Sequence, residues 1–269
     1  MGTSERSAPT LQAFCIGHKP PVFEPPAPFT MVCPAALGLL DEIVIADDLF
    51  GQAFHGSILS EYTQLFGLAE RLKGLPRRPD ALYLFQYRKL VSRQAGSRLS
   101  SNMPYAYASN PEDAAHLYRS GPCSESLATR LLTGPALRHQ RTIAFEYSSS
   151  HLVEDFAAFA AACSMSGALD PPGISRFINC NVLIPSPSLG QLPTPLFLEV
   201  MDTLRLVWTV FARHFLKARD GYQRRVGGFL LERLHSFLLV EHVRARGVTT
   251  RIAGNLIVVS ESHVIGRTE

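Results

Sequence analysis

The chain has no long hydrophobic run. Nowhere in its 269 residues do about 18 apolar residues follow one another, so no transmembrane helix is expected. The first ten residues are polar and lack the apolar core of a secretory signal. These absences lead us to expect a cytoplasmic protein, with peripheral contact at the inner membrane face left open. Cysteine is scarce: Cys15, Cys33, Cys123, Cys163 and Cys180 make an odd count with no Cys-x-x-Cys pair. A disulfide framework is therefore not expected, and a reducing compartment fits. Cys15, Cys163 and Cys180 fall in apolar runs, where core thiols belong. Excess charge of one sign is also missing. The net charge of +3 is too weak for a general nucleic-acid binder, so no nucleic-acid partner is expected. No Gly-x-x-x-x-Gly-Lys-Ser/Thr loop, Gly-x-Gly-x-x-Gly, His-Glu-x-x-His or Gly-x-Ser-x-Gly occurs, which removes the main support for P-loop, classical dinucleotide, zincin and hydrolase readings.

What is present is a globular composition, 46% apolar and 18% charged, long enough for a sizeable core. Residues 1–10 read as a flexible N-terminus and 11–269 as a single domain. Leu11–Gly17 reads as a short strand, Pro20–Pro28 with its five prolines as an extended loop, and Glu42–Ala46 as a second strand. In Ser57–Lys73 the residues Ile58, Tyr62, Leu65, Ala69 and Leu72 recur at helical spacing, and Gly74 stops the helix. Ala81–Phe85 is a buried strand, residues 93–140 a polar excursion with short helices, Thr142–Tyr147 a strand, and Leu152–Met165 an Ala-rich helix. Ile178–Ile184 reads as another strand, followed by a Pro-rich link at Pro185–Pro195. Pro195–Leu216 and Gln223–Arg246 read as long helices, and Gly254–Val259 as a strand. The alternation argues an α/β fold, a mixed sheet with helices on both faces.

Open α/β sheets bind ligands at the carboxyl ends of their strands. Three polar clusters fall there: Gly17-His18-Lys19, Asp47-Asp48 and Gln86-Tyr87-Arg88-Lys89. Each also reads as an ordinary solvated loop start. Arg88-Lys89 is the sharpest, because a guanidinium fork matches phosphate oxygens, although a surface salt bridge would use the same residues. On the helix Gln223–Arg246, the residues Arg225, Gly228, Glu232 and His235 form one stripe. Gly228 would let a ligand or a neighbouring backbone approach closely. Glu232 could act as general base or could hold Arg225 or Arg88. Asp220 is a candidate N-cap, which would place Arg224 and Arg225 near the amino end, a favourable place for an anion. Glu61, read from spacing alone, is an exposed helix residue, with His55 and Ser57 close before it.

These residues carry a resemblance. The chain resembles a family of bacterial glycosyltransferase-like proteins, long of unassigned function and often encoded with capsule or lipopolysaccharide genes. The matching pieces are His18-Lys19, Ser60-Glu61-Tyr62-Thr63, Gln86-Tyr87-Arg88-Lys89, Asn179-Cys180-Asn181 and the run from Arg225 to Leu234, in order over nearly the whole chain. The resemblance implies a GT-A-like (Rossmann-like) fold, a nucleotide-sugar donor and a glycan or glycolipid acceptor, and it raises Glu61 above an ordinary surface residue. Gln86 stands where the family usually has His, Lys89 where it has a second Arg, and Tyr62 where it has Leu.

Many GT-A enzymes hold a divalent metal through Asp-x-Asp at the end of a central strand. Here Ala81–Phe85 runs into Gln-Tyr-Arg-Lys. The expectation is that Arg88, with Arg225 or Arg224 and Lys19, binds the donor diphosphate with no obligatory metal, Asp47-Asp48 being the candidate if Mn2+ or Mg2+ is used. Glu232, Glu61 and Asp48 are the acid-base candidates. His18, His55, Gln86, Tyr87, Lys89, Asn181 and Gly228 complete the expected substrate-binding set. Two other readings compete: a non-catalytic nucleotide-sugar-binding protein on the same fold, and a membrane-surface adaptor using the basic segment Phe211–Arg219.

Overall fold

The computed structural model describes residues 9–122 and 129–259. Cys123 and residues 1–8 of the expected flexible terminus lie outside them. Thr10 is already tied down: its amide donates to Asp80 Oδ2 at 2.7 Å, and its carbonyl accepts from the Asp80 amide at 2.9 Å.

The sheet is built around the apolar run β4 (Ala81–Gln86), whose first five residues are fully buried. On one side lie three strands parallel to it: β1 (Leu11–Ile16), then β2 (Thr30–Cys33), then β3 (Glu42–Val44). On the other side lies antiparallel β11 (Gly190–Pro193), then β8 (Leu131–Thr133) and β12 (Arg251–Ala253). A second wing starts where β4 turns tightly into β5 (Lys89–Ser92). It continues through β13 (Asn255–Val259), β7 (Ala106–Ser109) and β6 (Arg98–Leu99). A separate pair joins β9 (Leu137–Arg138) to β10 (Val182–Leu183).

Alternation along the strands divides the core. Phe14, Ile16, Leu82 and Leu84 pack on one face under α2 (Tyr62–Lys73), α5 (Val153–Met165), α7 (Thr194–His214) and α8 (Val226–Arg246). Ala13, Cys15, Tyr83 and Phe85 pack on the other, with Phe23 of the Pro-rich loop and α3 (Pro111–Arg119). Helices therefore cover both faces, and each fully buried Leu or Phe contributes about 1.5–3 kcal/mol.

Several local expectations give way. The helix expected at Ser57–Lys73 is broken: α1 (Gly56–Leu59) ends at Ser60, whose φ of 58° and ψ of −131° cannot continue it. Thr142–Tyr147 is not a strand but the start of α4 (Ile143–Ser148), capped by Thr142 Oγ1, with Ile143 and Tyr147 buried at i, i+4 spacing. Ile178–Ile184 is mostly not a strand either. Ile178 ends α6 (Pro171–Ile178), whose Asp170 cap and Pro171 opening are legible start signals. The basic segment Phe211–Arg219 is not one amphipathic helix. α7 ends at His214, Phe211 is buried, and Arg219 pairs with Asp155 at 2.8 Å. Among the described residues no helix is long and apolar enough to cross a membrane.

The Pro-rich link hides β11, which depends on Gly190. Its φ is 111°, and a Cβ there would collide with the Leu132 carbonyl oxygen of β8. Gly190→Ala should therefore destabilise the protein by about 2–4 kcal/mol, read as a large drop in Tm. A melting curve matching the wild type would refute this packing.

Candidate functional site

The four parallel strands end on the same edge of the sheet, and a cavity of about 570 Å³ opens there. From the strand ends come Ile16, Gly17 and His18 after β1, Pro34 after β2, Asp47 beyond β3, and Gln86 to Lys89 at the β4–β5 turn. The turn is held from both sides. The Val22 amide donates to the Tyr87 carbonyl and the Val259 amide to the Arg88 carbonyl, each at 2.8 Å. Arg88 thus projects its exposed guanidinium from a fixed backbone, 5.3 Å over the Tyr87 ring.

The opposite wall comes from helices. The α1–α2 break contributes Ser60, Glu61 and Gln64, and α8 with the turn before it contributes Arg225, Gly228, Phe229 and Glu232. The Gly227-Gly228 pair explains their closeness. A Cβ on Gly227 would stand 2.5 Å from Leu59 Cδ2 and 2.9 Å from the Trp208 ring, and one on Gly228 2.6 Å from Ser60 Oγ. The glycines admit the neighbouring backbone, and Arg225 Nε then donates to Ser60 Oγ at 3.0 Å.

Among the described residues, the non-glycine residues with positive φ are Ser60 and Ser186, and both line this cavity. Such conformations cost about 1–3 kcal/mol each and cluster at functional sites. The Ser186 amide donates to Glu232 Oε1 at 3.0 Å, while Arg233 Nη1 donates to Glu232 Oε2 at 3.0 Å. Glu232 therefore does not hold Arg225 or Arg88. Its partner is buried Arg233, which also reaches Glu146 at 3.2 Å. Both Glu232 oxygens are anchored, and each keeps capacity to accept a further hydrogen bond.

Glu61 is placed differently. It stands at the break between α1 and α2, and burial pushes its carboxyl above the ordinary carboxylate range. Its own backbone hydrogen bond opposes that, the Glu232 charge adds to it, and Lys89 and Arg225 pull it back. His235 lies deeper than the stripe suggests. Its Nδ1 meets Tyr62 Oη at 3.3 Å, and burial pushes it down to about 3, so it is neutral at ordinary pH.

Of the expected site residues, the cavity brings together His18, Glu61, Gln86, Tyr87, Arg88, Lys89, Arg225, Gly228 and Glu232. It leaves out five. Asp48 does not line it; its neighbour Asp47 does, with Oδ1 accepting from Gln64 Nε2 at 2.9 Å. His55 caps α1, its Nδ1 accepting from the Ser57 amide at 3.1 Å. Asn181 lies near β10 and donates to the His139 carbonyl at 3.3 Å. Arg224 is exposed outside the lining, and Lys19 lines a separate cleft. Asp220 caps no helix with its side chain. Sequence reasoning missed Pro34, Gln64, Ser186 and Phe229 as lining residues. Ser60 stood inside a quoted motif, whereas Ser186, in the Pro-rich link, gave no signal. No three His, Cys, Asp or Glu side chains among the described residues are grouped to hold a metal ion.

The fold has a known counterpart. The apo structure of WbbM, described as a bifunctional glycosyltransferase, is similar to this chain with a TM-score of 0.70 at 12% sequence identity, over 93% of this chain. The fold is GT-A-like. This chain covers 45% of the WbbM chain, less than half its length. No protein-family model and no curated protein matches the sequence.

The environment of Glu61 has a consequence for stability. A carboxyl raised in the folded state is penalised when ionised. The penalty is absent below the unfolded pKa, near 4.3, and complete once pH has passed the folded value. Glu61→Gln should thus raise Tm relative to wild type at pH 7.5, and the gain should vanish near pH 4. An equal shift at both pH values would contradict this environment.

Proposed function

We propose that the chain is a glycosyltransferase that moves a sugar from a nucleotide-sugar to a hydroxyl of a glycan or glycolipid acceptor. The observation that carries this reading is the convergence of Arg88 and Arg225, from distant parts of the sequence, on one cavity with Glu61 and Glu232. The cavity volume suits a ligand of that size, and the GT-A-like fold supports the same class of chemistry.

In this reading the bond between the anomeric carbon and the diphosphate oxygen breaks, and the acceptor oxygen takes its place on that carbon. Negative charge grows on the leaving diphosphate. Arg88 and Arg225 stabilise it from positions set before the reaction, where fixed cations act most strongly. The acceptor hydroxyl proton passes to a carboxylate. Glu61 is the better base, because a carboxyl raised above its ordinary range has a proton affinity closer to the working pH. Glu232, held by Ser186 and Arg233, accepts hydrogen bonds from the bound sugar. The divalent metal common in GT-A enzymes finds no grouped carboxylates among the described residues, and no step here is assigned to one.

Incubation with a panel of nucleotide-sugars, in EDTA, should release nucleoside diphosphate from one of them. Arg88→Ala and Arg225→Ala should each weaken that donor about 10–100-fold, the loss expected for a charge-assisted contact. Glu61→Gln should leave donor affinity near wild type and lower kcat by about 10²–10⁴. Undiminished donor affinity in Arg88→Ala would sink the proposal.

A further inference from the structure

Beside the first cavity lies a second, of about 900 Å³, walled by the β4–β5 turn, the β6–β7 hairpin and the end of β13. Tyr87 and Arg88 belong to both, so one turn separates them. The charge balance of the two differs. The first cavity sets Arg88, Lys89 and Arg225 against Asp47, Glu61 and Glu232. Among the described residues, the second sets Lys19, Arg88 and Arg98 against Asp113 alone. Asp113 is already engaged in the α3 cap, where its Oδ2 accepts from Asn110 Nδ2 at 2.9 Å and its amide donates to Asn110 Oδ1 at 2.7 Å. None of the three cations forms a salt bridge among the described residues. Ser100, Ser101 and Asn102 also line it, beside the apolar Leu99, Met103 and Val258.

Cations of like sign around one cleft repel each other and concentrate anions. Resting on the transferase reading, we infer that this cleft binds an anionic group of the acceptor, a phosphate or a carboxylate, beside the sugar to be extended. The first cavity is large enough for the donor by itself, so the second is free for the other substrate. Arg88 joins them: it faces the donor diphosphate on one side and the acceptor anion on the other. Arg98 is the discriminating residue. It lines the second cleft only, stands on the short edge strand β6, and is solvent-exposed, so replacing it spares the core.

The test titrates the full chain at low salt with a sugar 1-phosphate, a uronic acid and a neutral methyl glycoside, using wild type, Arg98→Glu and Arg98→Lys. The sugar 1-phosphate or the uronic acid should bind about tenfold more tightly than the neutral glycoside. Which of the two does so tells phosphate from carboxylate. Arg98→Glu should erase the advantage, Arg98→Lys should largely restore it, and raised salt should weaken it. Donor affinity, measured on the same samples, should not change in either variant. Equal affinity for charged and neutral sugars overturns the inference, as does a charged-sugar affinity insensitive to Arg98→Glu. A chain that binds the charged sugar through Arg98 yet takes no nucleotide-sugar contradicts the transferase reading and leaves the anion site standing.

Discussion

The close approach of α8 to the break between α1 and α2 is the constraint on which the site depends. Two consecutive glycines in a helix cost about 1 kcal/mol each against alanine. Here they remove the side chains that would hold the helices apart, since a Cβ on either would meet α1 or Ser60. The contact brings Arg225 onto Ser60 and Glu232 into the same cavity as Glu61. Ser60 completes it with a left-handed φ that ends α1 and turns Glu61 toward the cavity edge. Folding cost and site geometry are thus parts of one contact between helices distant in sequence.

Electrostatics divides the cavity's carboxylates. Glu232 has a donor on each oxygen and a buried guanidinium beside it. Among the described residues no side chain anchors Glu61 in this way, and burial dominates its protonation. Two carboxylates in one cavity with unlike surroundings suit unlike roles. Arg88 and Lys89 come from the other direction, on a turn whose two carbonyls are both bound, while Arg225 stands on the helix wall. A rigid turn matters because a guanidinium stabilises developing charge best when it need not move to reach it.

Much of this was legible in the chain. Ala81–Phe85 reads as a buried strand because five apolar residues precede a polar run, and the ligand-binding edge of an α/β sheet follows from that end. The stripe Arg225, Gly228, Glu232 is visible at helical spacing, although His235 proved a core residue bonded to Tyr62. What failed did so for physical reasons. Thr142–Tyr147 is short and largely apolar, and periodicity cannot tell a short buried helix from a strand; Ile178, read as the start of the strand Ile178–Ile184, instead ends α6. Caps at Thr142 and Asp170 carried the missing information. Asp47 rather than Asp48 lines the cavity because the backbone beyond β3 sets which of two adjacent carboxylates faces inward. Ser186 joins the site through its amide and backbone angle, and side-chain type does not encode either.

The central claim is that Arg88 and Arg225 serve one diphosphate. The most direct measurement is a crystal structure of the chain with a nucleoside diphosphate bound, chosen from UDP, GDP and ADP by the largest rise in Tm. The account predicts phosphate oxygens within hydrogen-bonding distance of both guanidinium groups, between the β4–β5 turn and the start of α8. A nucleotide bound with its phosphates away from either arginine would contradict it.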